Sequence, residues 1–243
     1  MNFEDKVVLI VGNPSRSFLD TFADYLGWIV LIVLLLVAVL LVFRGKRFQE
    51  YWHILTGGLF TFEPVYLEVK DFESSGYILD IGGGGEGVIG RLKGSQVVAI
   101  DIRLDELVET VDGPQKVVMD ARKLSFLDGS ISTATAFFSM MYMKTREDHK
   151  KVMNEAWRVL KPGGRLLLWD VDLSKRTDTK KEFYLVRLRY RVGDYEKGTG
   201  YGMRWPDGLR SEEYYLQLAE ETGFQLLTTE RNKHIFYLVF IKR

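Results

Sequence analysis

From Tyr25 to Phe43 the chain reads YLGWIVLIVLLLVAVLLVF, 19 residues without a charge in which only Gly27 falls outside the hydrophobic class. Elsewhere charged residues are frequent, at 27% overall, so average composition does not produce such a run. A helix of that length rises about 28 Å, close to the hydrocarbon thickness of a bilayer. The run therefore predicts a single transmembrane helix in contact with the lipid bilayer. Phe22, Tyr25 and Trp28 at one end and Phe43, Phe48, Tyr51 and Trp52 at the other suit the two interfaces. Arg44, Lys46 and Arg47 follow at once, whereas residues 1–24 hold Lys6 and Arg16 against Glu4, Asp5, Asp20 and Asp24. The positive-inside rule then places residues 44–243 in the cytoplasm. A cleaved signal peptide fits less well, because the apolar core is too long and the basic charge lies on the wrong side. The competing reading is a buried helix of a soluble oligomer.

The rest of the chain has an ordinary soluble composition. With 33 basic and 33 acidic residues the net charge is zero, and nothing indicates a nucleic-acid partner. There is no cysteine, which excludes thiolate catalysis, thiolate metal sites and disulfides. His53, His149 and His234 share no metal-ligand spacing, so no metal is expected. The tail before the span, residues 1–24, has one apolar run, Val7 to Val11, closed by Gly12-Asn13-Pro14, and carries no assigned function. Residues 44–75 read as a basic juxtamembrane linker and cap.

From residue 76 onward, short apolar strands alternate with helical stretches, the pattern of a parallel α/β sheet. Strands are expected at residues 77–81, 97–100, 116–119, 133–138, 165–169, 225–229 and 235–241, and helices near 88–92, 104–111, 146–160 and 211–222. Ser211 is placed to cap the last helix and Gly223 to end it in a left-handed conformation. The first strand runs into Asp80-Ile81-Gly82-Gly83-Gly84-Gly85-Glu86-Gly87. Glycines at a strand-to-helix turn let backbone N–H groups approach a ligand at the carboxyl edge of the sheet. Gly82, Gly84 and Gly87 spell G-x-G-x-x-G, and Asp101 lies 19 residues beyond Gly82, so spacing alone also fits a dinucleotide-binding oxidoreductase. Asp80 weighs against that alternative. A carboxylate beside the loop would repel a pyrophosphate but attract the ammonium and sulfonium of S-adenosyl-L-methionine.

Four segments in order resemble the class I S-adenosylmethionine-dependent methyltransferases, most nearly the type 11 branch that includes quinone-ring methyltransferases. They are the Asp80 to Gly87 turn, Val97-Val-Ala-Ile-Asp101, Met119-Asp120-Ala121-Arg122, and Glu155-Ala-Trp-Arg-Val-Leu-Lys-Pro-Gly-Gly-Arg165. The resemblance implies a Rossmann-like fold with a seven-stranded, mainly parallel sheet. It implies that the Gly82 to Gly84 loop wraps the methionine part of the cofactor and that Asp80 helps to hold its amino group. Asp101 would accept the ribose hydroxyls, Asp120 the adenine amino group, and the Ala121 N–H would reach a ring nitrogen.

This chain departs from the pattern at Glu86, where the family places its third glycine, and at Ser139-Met140-Met141-Tyr142-Met143, which lacks the paired histidines of many relatives. The three methionines read as packing. An acid/base group for the acceptor is expected near the carboxyl ends of the fourth and fifth strands, with Asp170, Asp172 and Tyr142 as candidates by position. Residues 173–210 are too long for a simple connection and read as a lid or substrate cap. Within them Tyr184, Val186, Leu188, Tyr190 and Val192 alternate with Arg187, Arg189 and Arg191, a half-buried strand with a basic face. That strand is either a solvated edge protected by charge or a surface for lipid phosphates or an anionic substrate. The whole reads as a membrane-anchored methyltransferase acting on a small or lipid-like acceptor. Its alternative is a degenerate cofactor-binding module serving as a non-catalytic partner subunit.

Overall fold

The computed structural model describes residues 29–35, 37–39, 58–175, 180–208 and 210–243. The chain divides into two compact units, Met1–Thr56 and Gly57–Arg243. In the first, residues 29–35 and 37–39 are helical, with Leu34 and Leu35 more than half exposed. Among the described residues no helix is long and apolar enough to cross a membrane. The transmembrane helix expected at residues 25–43 is thus not among the described elements. The remainder of that run, and the 1–24 tail with its Val7 to Val11 patch, lie outside them.

The second unit is built on a seven-stranded sheet. Its elements include β3 (Ile78–Ile81), α1 (Val88–Lys93), β4 (Val97–Asp101), α2 (Leu104–Glu109), β5 (Gln115–Val118), β6 (Ile131–Phe137), α3 (Arg146–Val159), β7 (Leu160–Val171), α4 (Glu212–Thr222), β10 (Phe224–Asn232) and β11 (Ile235–Lys242). The strand order is β10-β11-β7-β6-β3-β4-β5. The pairs from β5 through to β7 are parallel, and β11 lies antiparallel to both β7 and β10. All seven expected strands and all four helices are present, with ends shifted by a few residues. The largest shift is in β7, which begins at Leu160 rather than Arg165 and carries the Lys161-Pro162-Gly163-Gly164 turn as an irregularity between the pairs Ile131↔Leu160 and Thr133↔Arg165.

Alternating side chains send the sheet's apolar residues to two faces. Ile78, Val97, Ala99, Leu167 and Trp169 join one core, and Leu79, Val98, Ile100, Leu166 and Leu168 join the other. The second core is closed by α3 and α4. Helix α3 buries Val152, Met153, Ala156 and Val159 at helical spacing, and starts where Thr145 accepts the Asp148 N–H at 3.0 Å. Helix α4 starts on Ser211, which accepts from the Tyr214 N–H at 3.2 Å, and ends at Gly223 with φ 96°, as its sequence foretells.

The first core is closed by α1, α2 and a second sheet of β1 (Leu59–Thr61), β2 (Val65–Glu68), β8 (Phe183–Val192) and β9 (Tyr195–Arg204). β1 and β2 pair in parallel with successive parts of one side of β8, and β9 pairs antiparallel with the other. Part of the 44–75 segment read as linker and cap is therefore sheet. β8 is an interior strand, which corrects the reading of it as an edge. Tyr184, Val186, Leu188, Tyr190 and Val192 are buried as their alternation requires. The basic face is largely neutralised: Arg189 pairs with Glu196 and Arg191 with Glu68, each at 2.9 Å.

Candidate active site

Strand order reverses direction at β3, which has β4 on one side and β6 on the other. In a parallel sheet that switch opens a crevice at the carboxyl ends, where ligands bind. The Gly82 to Gly87 turn leaves β3 at this point. A Cβ on Gly83 would lie 2.6 Å from Asp80 Oδ2, and one on Gly84 would lie 2.6 Å from Glu106 Cβ and 3.1 Å from Asp101 Oδ2. Glycine is thus required where Gly83 meets Asp80 and where Gly84 meets Glu106 and Asp101, so the structure brings the turn that holds Gly82 and Gly84 against Asp80 on one side and Asp101 on the other. The turn is held by Gly83 N–H donating to the Ile100 carbonyl at 3.0 Å and Gly85 N–H to that of Glu106 at 2.8 Å.

Asp80 is buried and accepts one side-chain hydrogen bond, from Thr135 Oγ1 to Oδ1 at 2.7 Å. Burial pushes its carboxyl up to about 7, against the Thr135 bond and helped by the charge of Asp101. A buried carboxylate with one donor calls for a cation, and the ammonium and sulfonium of S-adenosylmethionine supply one. The residues present therefore fit this cofactor. Asp101 stands at the end of β4, half-buried, and Oδ1 accepts the Arg103 N–H at 2.9 Å. Its second oxygen faces the glycine turn.

Asp120 is more heavily engaged than its expected role requires. Arg122 clamps both of its oxygens, at 2.7 Å from Nη2 to Oδ2 and 3.0 Å from Nε to Oδ1, and also reaches Asp148 at 2.9 Å. The Arg122 hydrogen bonds hold the Asp120 carboxyl below its usual range. Ala121 beside it is buried. Because Asp101 spends one oxygen on a turn and Asp120 spends both on Arg122, Asp101→Ala is expected to weaken cofactor affinity about tenfold more than Asp120→Ala, by the hydrogen bonds to ionised groups that each loses. Equal losses in a calorimetric titration would count against this division of labour.

The three acid/base candidates separate. Asp170 is fully buried, accepting the Val171 N–H at 2.7 Å and the Tyr215 hydroxyl at 3.2 Å, and burial pushes its carboxyl up to about 7. Asp172 is also buried and bonds Ser174 and Arg231, the latter at 2.7 Å; burial raises its carboxyl, but those partners hold it below the ordinary value. Both aspartates alternate with Trp169 and Val171, so their side chains leave the sheet face that the second sheet covers. Tyr142 instead stands in a short 3-10 turn, Met140–Tyr142, partly open to solvent, with the Gly202 backbone of β9 at its hydroxyl. Burial pushes its phenol up to about 12, opposed by the Gly202 backbone.

Sequence reasoning missed several residues. Thr135 is the β6 register partner of Asp80, a relation visible once the strand order is known. Ser139 donates to the Ile81 carbonyl at 2.6 Å and packs against Gly82. Below the Met140–Tyr142 turn lies a buried polar cluster. Arg210 donates to the Met141 carbonyl at 3.1 Å and the Lys144 carbonyl at 2.7 Å, and His149 Nε2 lies 2.9 Å from the Met140 carbonyl. Burial and the Arg210 charge bring His149 down to about 4, so it is neutral.

Residues 79–168 match the methyltransferase domain family. The sterol 4-C-methyltransferase strm-1 of Caenorhabditis elegans is 36% identical over 80 residues, which are 32% of this chain and 23% of that protein. The match thus spans about a quarter of that curated relative. An S-adenosylmethionine-dependent methyltransferase from Methanosarcina mazei superposes with a TM-score of 0.53 over 70% of this chain and 94% of its own, at 19% identity. One from Mesorhizobium loti gives 0.50 over 70% and 93%, at 15% identity. At these identities the solved structures establish the fold, and the family match falls on methyltransferases rather than on the dinucleotide-binding alternative. Residues 57–243, with the glycine turn at the switch point of a seven-stranded sheet, thus have the fold of the S-adenosylmethionine-dependent methyltransferases, and residues 79–168 within them match the methyltransferase domain family.

Proposed function

We propose that the protein transfers a methyl group to an apolar, ring-bearing lipid-like acceptor, and that residues 25–43 keep it at the membrane where such an acceptor resides. The observation that carries this reading is the set of aromatic residues packed between the seven-stranded sheet and the second sheet, most of them buried. Phe138 stacks on Tyr201 at 4.9 Å, Phe137 lies 5.7 Å from Trp169 and 6.3 Å from Tyr190, and Trp169 stacks on Tyr237 at 4.4 Å. An acceptor admitted beside these rings would be flat or apolar rather than charged. The sterol-directed name of the C. elegans relative points to the same acceptor class, and the 18 apolar residues among 19 at positions 25–43 support membrane placement.

Bound S-adenosylmethionine would supply an electrophilic methyl on a sulfonium. Asp80 would hold the positive end and Asp101 the ribose, while the second sheet keeps water from the reacting atoms. Tyr142 keeps its proton at neutral pH and serves as a hydrogen-bond donor toward the acceptor rather than as a base. The test is to incubate the full chain with methyl-labelled cofactor and either a membrane-lipid extract or a water-soluble extract. Label is expected in the organic-soluble product; label confined to aqueous products would overturn the acceptor class.

A further inference from the structure

Glu86, at the position where the family pattern has a glycine, leaves the cofactor turn and points to the second sheet. It accepts the Tyr190 hydroxyl on Oε2 at 3.1 Å and the Thr199 hydroxyl on Oε1 at 2.9 Å, and Lys197 Nζ lies 2.7 Å from Oε2. These partners belong together. Tyr190 and Lys197 are directly opposite in the β8–β9 register, and Lys197 and Thr199 share one face of β9. One carboxylate thus spans both strands of the hairpin.

An exposed ion pair alone holds little. Here the Glu86 side chain is only 21% exposed, and two hydroxyls share the load. A second link lies one helical turn on, where the Arg91 guanidinium of α1 sits 4.0 Å over the Tyr195 ring. Beyond these links, β9 is exposed along most of its length and carries Gly198, Gly200 and Gly202. A strand so poor in buried side chains has little intrinsic hold, so what fastens it near the turn matters. It also carries Tyr201, stacked on Phe138, and the Gly202 backbone against Tyr142.

We propose that Glu86 is a positioning residue that latches β9 to the glycine turn, so that the turn's grip on the cofactor and the packing of β9 over Phe138 and Tyr142 rise and fall together. The latch rests on the cofactor reading of the turn. Cofactor exchange then requires β9 to loosen from the turn, and an occupied turn favours the closed strand.

A charge swap tests it on the full chain. Glu86→Lys and Lys197→Glu, each alone, are expected to speed hydrogen exchange in residues 195–204 and S-adenosylmethionine dissociation about tenfold. The double swap restores an oppositely charged pair, and Tyr190 and Thr199 hydroxyls accept from a lysine as well as they donate to a glutamate, so it should return both rates to within about threefold of wild type. Glu86→Gln keeps size and hydrogen bonding and should give an intermediate, about threefold effect, which keeps the test informative if a single swap fails to fold. Unchanged exchange and dissociation in the single variants, or no recovery in the double swap, would overturn the latch. A wild-type chain that binds no S-adenosylmethionine would instead overturn the cofactor reading and the coupling with it, while hydrogen exchange would still judge the Glu86 contacts themselves.

Discussion

Asp80→Asn is expected to lower S-adenosylmethionine affinity about 100-fold while leaving the fold intact, because it removes a full charge opposite a cation in a poorly solvated site. The substitution preserves the shape that Gly83 packs against, and the Asn carbonyl can still accept from Thr135. The pH dependence separates charge from shape. Burial pushes the Asp80 carboxyl up to about 7, so a bound cation must first draw the proton off at lower pH. Wild-type affinity should therefore rise between pH 5.5 and 7.5, and the Asn variant should be flat over the same range. Stability moves in the opposite sense. A carboxyl whose folded value lies above its ordinary 3.8 binds its proton more tightly when folded, so its contribution falls as pH rises from about 4 to about 7. Without cofactor, Asp80→Asn should be more stable than wild type at pH 8, by of the order of 1 to 3 kcal/mol. Calorimetric titration and chemical denaturation at two pH values measure both effects. Unchanged affinity would show that the carboxylate does not face the cofactor.

Arg210→Leu should cost about 3 kcal/mol of stability, because it removes two hydrogen bonds that a buried charged group makes to backbone carbonyls. Arg210 is 3% exposed, donates to the carbonyls of Met141 and Lys144, and its charge draws the Asp170 carboxyl down against burial. Leucine takes these donors from two carbonyls and removes a nearby positive charge from the buried Asp170 carboxyl. For a domain of this size the loss corresponds to about 6 to 12 °C in Tm. Its sign with pH follows from Asp170, which is already up near 7 and moves higher without Arg210. The proton then stays on over a wider range, stability goes on falling above pH 7, and the deficit should be larger at pH 8 than at pH 6. Asp170→Leu combined with Arg210→Leu should recover part of the loss, because the orphaned carboxyl is gone. A drop below about 1 kcal/mol, or one equal at both pH values, would show that Arg210 and Asp170 are not coupled in this way.

The sheet was legible in the sequence because its signals are local. Apolar runs such as Ile78–Ile81 and Val97–Asp101 need only two faces to bury, and Thr145, Ser211 and Gly223 mark helix ends through bonds within a few residues. The Asp80 to Gly87 turn and Asp101 were legible for a related reason, since consecutive strands place them at one edge. The membrane reading of residues 25–43 rests on the sequence, with the described part of that run helical and exposed.

Contacts between distant segments were not legible. No local pattern says that residues 59–68 would pair with residues 183–191 and make β8 an interior strand, or that Glu68 and Glu196 would neutralise two of its arginines. Asp170 and Asp172 stood at the right strand end for chemistry, but which face of β7 each side chain takes depends on pleat and register, and Tyr215 and Arg231 engage them there. Glu86 carries the same lesson. By sequence it is a missing glycine, and its meaning depends on three side chains more than 100 positions away. Hydrophobic period and turn chemistry thus determine the α/β sheet and its cofactor edge from the sequence alone. Only the tertiary structure decides what closes over that edge, because long-range pairing places opposite one another groups that sequence neighbours do not specify.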